Sequence, residues 1–244
     1  MRAKKTVTSL ASALILATAL TAPSVDAAAS TASASRRHAP YCQDQDMILK
    51  PESAYPHTPI GHANFMLQNS RMEAAVLCLV NGLRQANGLP GLKIYLLLPG
   101  MQRGIRGAAY DHAQAAVKMR WWGAVGQVPA NMCPYWPDKP QRCNPHINPV
   151  THTTPDDRAK ANGFGKGCTK YWDAENTYTG WGSDYVTPIA AYRAWETSPG
   201  HRANMLDPNF QQMALRAELG SADPAAGTTS PAATYVQTFG GCQR

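Results

Sequence analysis

One histidine stands where its imidazole could do chemistry. The stretch Ser198-Pro199-Gly200-His201-Arg202 opens with a helix-capping residue and with a proline suited to a first helical turn, so it predicts a helix start. His201 then lies where the positive end of the helix dipole disfavours an added proton. A neutral imidazole can coordinate a metal or accept a proton, although a surface or packing role is the commoner one for such a histidine.

The beginning of the chain is typical of a secretory signal peptide over residues 1–27. Basic residues come first, the range 10–20 is apolar yet too short to span a membrane, and small residues around Ala27 suit cleavage. We therefore expect a secreted, extracellular protein. Residues 28–68 are expected to form a leader and extended lead-in, partly disordered, and residues 69–244 one folded domain.

Cysteine usage agrees with export. All six cysteines follow the signal segment, which predicts three disulfides formed in an oxidising compartment. Only Cys133–Cys143 is suggested by the sequence, because this pair closes a short loop rich in proline. The pairing of the other four cysteines stays open. The loop belongs to a stretch at about 123–150 that is rich in Pro, Asn and Gly and is expected to be a surface insertion that could rim a site.

The charge pattern argues against nucleic acid as a partner. The formal net charge is +7, but several of these charges lie in the signal segment and leader, and the remaining basic residues are scattered. A modest attraction to an anionic envelope is consistent with this balance. We expect no transmembrane segment and a monomer.

Helical patterns precede strand patterns along the chain. Capping residues and apolar periodicity predict helices over 70–87, 104–122, 154–163 and 187–195, and from Ser198 onward. Alternating apolar residues predict strands over 213–219 and 234–239. This order predicts an α+β fold with helices packed on a small antiparallel sheet.

Several short motifs occur in an order that resembles one protein family. The motifs are Leu79-Val80-Asn81, Thr154-Pro155-Asp156-Asp157-Arg158, Glu175-Asn176, Trp195 with the stretch 198–208, and Tyr235-Val236-Gln237-Thr238-Phe239-Gly240. In this order they resemble the bacterial branch of the CAP superfamily, the SCP-domain proteins related to cysteine-rich secretory proteins, antigen 5 and pathogenesis-related proteins. The resemblance covers about 71–240. It implies an α-β-α sandwich with a cleft where two histidines and acidic residues meet, a site that in several members holds zinc or another divalent cation.

The resemblance can be carried over residue by residue. His201 looks like the later histidine of that cleft, His152 like the earlier one and Glu175 like its glutamate, while His146 is the alternative to His152. Two imidazoles and a carboxylate would suit zinc and leave a position for water, although a polar hydrogen-bonded cluster is an equal alternative. Further candidates for the cleft are Glu196, Ser198 and Asn176.

Three classes of function compete. The first is a non-catalytic binding module for a lipid, peptide or cell-envelope component, and the second is an extracellular scaffold or interaction module. The third is a hydrolase in which a cation on His152 and His201 activates water, with Glu175 as general base. The resemblance favours the binding module, and the hydrolase ranks last because a fold does not fix an activity.

Overall fold

The structure is a computed structural model that describes residues 41–94 and 103–244. The predicted signal peptide and the part of the predicted leader up to residue 40 lie outside the described residues. The helices are α1 (Pro59–Ala86), α2 (Gly104–Met119), α3 (Pro155–Ala161), α4 (Pro188–Thr197) and α5 (Pro199–Leu206). The strands are β1 (Lys93–Ile94), β2 (Lys170–Trp181), β3 (Gln212–Leu219) and β4 (Ala232–Gln243).

The four strands form one mixed sheet in the order β1-β3-β4-β2. Strands β3 and β4 are antiparallel neighbours, as expected. Strand β2 also pairs with β4 in antiparallel, whereas the two-residue strand β1 pairs with β3 in parallel. The long β2–β4 ladder runs from Lys170 opposite Gln243 to Trp181 opposite Ala232, and it places Glu175 opposite Thr238.

Helices cover both faces of the sheet, which confirms the α+β prediction and its layered arrangement. Helices α1, α4 and α5 pack on one face, and α2 and α3 pack on the other. Neighbouring strand residues point into different layers, as the twofold side-chain period requires. Met213 and Tyr235 belong to the first core, while Ala214 and Val236 belong to clusters on the α2 side.

Helix α1 begins eleven residues before the predicted start at Ser70. The hydroxyl of Thr58 accepts a hydrogen bond from the backbone N–H of Gly61, so Thr58 caps the helix and Ser70 lies inside it. Polar contacts, rather than an apolar stripe, hold the early turns. The amide of Gln68 exchanges two hydrogen bonds with the backbone of Lys50, and Asn69 accepts one from the N–H of Ala217. Apolar periodicity could not detect such a segment.

Strand β2 was not predicted from the sequence. Helices α4 and α5 cover one of its faces and α3 contacts the other, so its side chains do not alternate between core and water. This strand matters because Glu175 and Asn176 lie near its middle.

Three disulfides are present, and the predicted pair Cys133–Cys143 is confirmed. The other two join Cys42 to Cys78 and Cys168 to Cys242. Cys42 and Leu49 are buried core residues although they belong to the segment expected to be a lead-in. Among the described residues, no helix is both long and apolar enough to cross a membrane.

Candidate functional site

A buried carboxylate lies at the centre of the candidate site. The side chain of Glu175 is 0 % exposed. Its Oε2 accepts a hydrogen bond from Arg158 Nη2 at 2.7 Å, and its Oε1 accepts one from His146 Nδ1 at 3.0 Å. The Nε2 atom of His112 is 3.6 Å from the same Oε1. Both carboxylate oxygens are therefore already engaged inside the protein.

Glu175 is ionised in this environment. Burial alone would raise its pKa, but His112, Arg158 and the hydrogen bond from His146 together hold the pKa of Glu175 well below its usual range. Burial lowers the pKa of His112 to about 4, so this imidazole is neutral near neutral pH. Arg158 is therefore the permanent charge that balances Glu175.

Arg158 also fixes the backbone that carries His146. Its Nη1 atom donates to the carbonyl oxygens of His146 at 3.1 Å and Thr153 at 2.8 Å. From the other side, His112 Nε2 donates to the carbonyl oxygen of Pro145 at 2.7 Å. Two neighbours therefore fix the backbone at Pro145 and His146, and Glu175 fixes the Nδ1 atom of the His146 ring. The His146 side chain remains 22 % exposed.

His201 lies beside His146, and both side chains are partly exposed. The two ring centroids are 6.4 Å apart, with the planes inclined at 61°. Burial, followed by the charges of the nearby His146 and Lys139, lowers the pKa of His201 to about 4. The imidazole is therefore neutral near neutral pH, as expected, but burial rather than the helix dipole is the main cause.

Asn176 positions the helix that carries His201. Its amide donates to the carbonyl oxygen of His201 at 3.2 Å and to Gln237 Oε1 at 3.0 Å, and its own oxygen accepts from Asn204 Nδ2 at 2.9 Å. Asn176 is fully buried. Its hydrogen bonds attach α5 to β2.

The disulfide-closed loop, which belongs to the predicted insertion at about 123–150, contacts His146. Trp136, between Cys133 and Cys143, places its ring 6.1 Å from that of His146 in an edge-to-face contact. Lys139 Nζ lies 4.5 Å from the centroid of the Trp136 ring. We call the space between His146, His201 and Trp136 the histidine cleft.

The structure connects Glu175 and His201 through His146 rather than through His152. His152 is exposed and has a φ of 56° at the end of a turn, where its N–H donates to the carbonyl oxygen of Asn148. Among the described residues, no hydrogen bond or ion pair joins His152 to Glu175. The contact with Glu175 is therefore made by His146, the alternative that the sequence left open.

Two further predicted cleft residues have other contacts. Glu196 Oε1 accepts a hydrogen bond from Tyr192 Oη at 3.0 Å along α4. Ser198 is the N-cap residue of α5, although its side chain forms no capping hydrogen bond. Arg158 and Trp136, which do contribute to the site, were not identified as site residues from the sequence.

Comparison with known proteins finds similarity in solved structures. No protein-family model and no curated protein matches the chain. An extracellular protein containing an SCP domain from Bacillus anthracis is 18% identical to this chain. The match covers 78% of this chain and 45% of the Bacillus anthracis chain, with a TM-score of 0.40. A cysteine-rich secretory protein from Staphylococcus aureus is 16% identical, covering 70% and 39%, with a TM-score of 0.33.

An outer surface protein from Borrelia burgdorferi is 15% identical, covering 67% of this chain and 87% of its own, with a TM-score of 0.39. The family named for the first two structures is the one that the sequence motifs resemble. This chain spans less than half of each of those two proteins. At such identities and TM-scores, the likeness carries no argument about ligand or activity.

The predicted zinc ligands are not assembled. His152 lies apart from Glu175, and both oxygens of Glu175 accept hydrogen bonds from Arg158 and His146. Within residues 41–94 and 103–244, no group of three or more His, Cys, Asp or Glu side chains could hold a metal ion. The residues present therefore do not fit zinc or another divalent cation held by two histidines and a carboxylate.

Acid should destabilise the fold through the buried imidazoles. His112 and His201 have pKa values of about 4 in the folded protein against 6.5 ordinarily, so the unfolded chain takes up protons first as the pH falls. Stability is then lost between about pH 6.5 and pH 4, and Glu175 acts in the same direction at lower pH. Asp173 and Glu73, whose pKa values burial raises, act in the opposite direction.

Urea unfolding between about pH 7 and pH 4.5 measures this dependence. His112→Gln keeps a donor for the Pro145 carbonyl but removes one titrating group, so the slope of unfolding free energy against pH should fall by up to about 1.4 kcal/mol per pH unit. An unchanged slope would show that His112 titrates normally in the folded protein.

Proposed function

We propose that this chain is a secreted CAP-type domain that binds a ligand at the histidine cleft without chemical turnover. Export is supported by the signal-like segment and by the three disulfides. The ligand classes that fit the proposal are a lipid headgroup, a peptide and a component of the cell envelope. The proposal rests on the contacts within the histidine cleft and not on the fold alone.

The deciding observation is that buried protein groups fix the orientation of the His146 ring. Its Nδ1 bonds to Glu175, which Arg158 holds in turn, so the ring is oriented before any ligand arrives. Such support around a contact residue is what a binding site needs to hold its geometry. The remaining ring nitrogen, the His201 imidazole and the Trp136 ring are left for a ligand.

Binding explains the cleft better than hydrolysis does. A carboxylate whose pKa is held well below its usual range is a weak proton acceptor, so Glu175 is a poor general base. Among the described residues, neither His146 nor His201 forms a hydrogen bond with a serine, threonine or cysteine side chain. All six cysteines are in disulfides.

Retention of a ligand tests the proposal. The secreted full chain is incubated with envelope extract from the producing cells, repurified, and extracted with organic and aqueous solvents for mass spectrometry. Wild type should retain a specific compound, and His146→Ala/His201→Ala should retain at least about tenfold less, equivalent to about 1.4 kcal/mol of binding. His152→Ala is the matched control, because this exposed histidine lies outside the cleft.

Two results would count against the proposal. Equal retention by wild type and by the double variant would place the ligand elsewhere on the protein. If wild type retains nothing, the scaffold alternative gains support.

A further inference from the structure

A second concave surface lies at the end of the β2–β4 ladder where Trp181 pairs with Ala232. The groove has a volume of about 520 Å³, within the range of roughly 300–1,000 Å³ that is common for small-molecule sites. One of its lining residues, Ala232, pairs with Trp181. Ala232 lies six positions along β4 from Thr238, which pairs with Glu175. At about 3.3–3.4 Å per residue this corresponds to roughly 20 Å along the strand. The groove and the histidine cleft are separate features.

The walls of the groove are mainly apolar, and its charges are all of one sign. Apolar lining is contributed by Leu49, Val117 and Leu219, among others. Among the described residues, the ionisable side chains that line the groove are Lys50 and Arg120, with no aspartate or glutamate. This combination suits a ligand that has an apolar body and a negative group.

The charge of Arg120 is not balanced by a carboxylate. Its Nη2 atom donates to the carbonyl oxygens of Asp223, Pro224 and Gly227 at 3.2, 3.4 and 3.1 Å. Its Nε atom is buried and has no hydrogen-bond partner in the structure. Within the described parts of the chain, neither Arg120 nor Lys50 forms an ion pair. Both cations can therefore attract an anion.

The backbone gives an independent reason to look for a role at Arg120. This residue ends α2 in the left-handed conformation, with a φ of 52°, at a position where glycine or asparagine is usual. A residue with a side chain costs about 1–2 kcal/mol there. Residues in strained backbone conformations cluster at ligand sites, where the role of the side chain accounts for the retention of an unfavourable conformation.

We infer that this groove binds an aliphatic carboxylate, with its chain against Leu49, Val117 and Leu219 and its carboxylate beside Arg120. Lys50 adds a second positive charge at the groove. The inference stands apart from the proposed function of the histidine cleft, because the two sites share no residue.

Calorimetric titration of the secreted full chain with decanoate, decanol and acetate tests each part of the inference. Decanoate should bind at least about tenfold more tightly than decanol, which lacks the charge, and acetate should not bind measurably. Equal affinity for decanoate and decanol would overturn the role of Arg120. No binding of decanoate would overturn the site.

Variants assign the binding to the groove. Arg120→Gln should weaken decanoate binding by about tenfold and leave decanol unchanged, whereas Lys118→Gln, an exposed neighbour outside the lining, should change neither. If Arg120→Gln does not fold, Ala232→Leu fills part of the groove while keeping the guanidinium, and it should weaken both ligands.

The same titration separates this site from the cleft. His146→Ala/His201→Ala should bind decanoate as wild type does. A loss of decanoate binding in that variant, or full binding in both Arg120→Gln and Ala232→Leu, would contradict the inference.

Discussion

Replacing Arg158 with methionine should lower the free energy of unfolding by about 3–5 kcal/mol, because it leaves the carboxylate of Glu175 charged and buried without its partner. The side chain of Arg158 is 7 % exposed and that of Glu175 is 0 % exposed, so water cannot replace the lost interaction. Two hydrogen bonds to the carbonyl oxygens of His146 and Thr153 are lost as well. Urea unfolding at neutral pH measures the change.

A double-mutant cycle identifies the cause. Glu175→Gln/Arg158→Met removes both charges, so it should cost less than the sum of the two single substitutions. Arg193→Met, an exposed arginine on α4, is the matched control and should cost less than about 0.5 kcal/mol. A loss of under about 1 kcal/mol in Arg158→Met would mean that Glu175 does not depend on this pair.

Replacing Arg84 with methionine should cost a similar amount, about 3–5 kcal/mol, for a different reason. Arg84 is fully buried in α1 and donates to the carbonyl oxygens of Pro90, Met205, Asp207 and Phe210 at 2.8–3.4 Å. Methionine has a comparable length but no donor, so these buried carbonyls lose their partners. Urea unfolding again measures the effect.

Arg84 also joins α1 to the end of the helix that carries His201. Amide hydrogen exchange in α5 should therefore become faster in Arg84→Met. Arg84→Lys, which restores one charge and some donors, should fall between the variant and wild type. If α5 amides exchange at the wild-type rate in Arg84→Met, the arginine does not hold this helix.

The sequence predicted elements whose signals are local. Helix α3 begins at the expected Thr154 capping box, and α4 begins at the expected Thr187 cap. Strands β3 and β4 lie where alternating apolar residues predicted them, although residues 233–241 of β4 are all buried and do not alternate between core and water. The start of α1 and the whole of β2 were missed, because Gln68 and Asn69 bind the backbone of distant segments and because helices contact β2 on both sides.

The candidate site shows the same division. His201 and Glu175 were identified through the family resemblance, since each lies in a recognisable motif. His146 could not be preferred over His152, because the choice depends on a turn at Asn148 and on a contact between residues 29 positions apart. Arg158 belongs to the motif at the start of α3, but its pairing with Glu175 appears only in three dimensions.

The central claim is that His146 and His201 together contact the ligand while His152 does not. Nitrogen-15 NMR of the three imidazoles, recorded before and after saturation with the compound retained from envelope extract, tests it most directly. We predict that the ring signals of His146 and His201 shift together on binding and that those of His152 stay in place. A bound ligand that leaves both His146 and His201 unchanged would contradict the account.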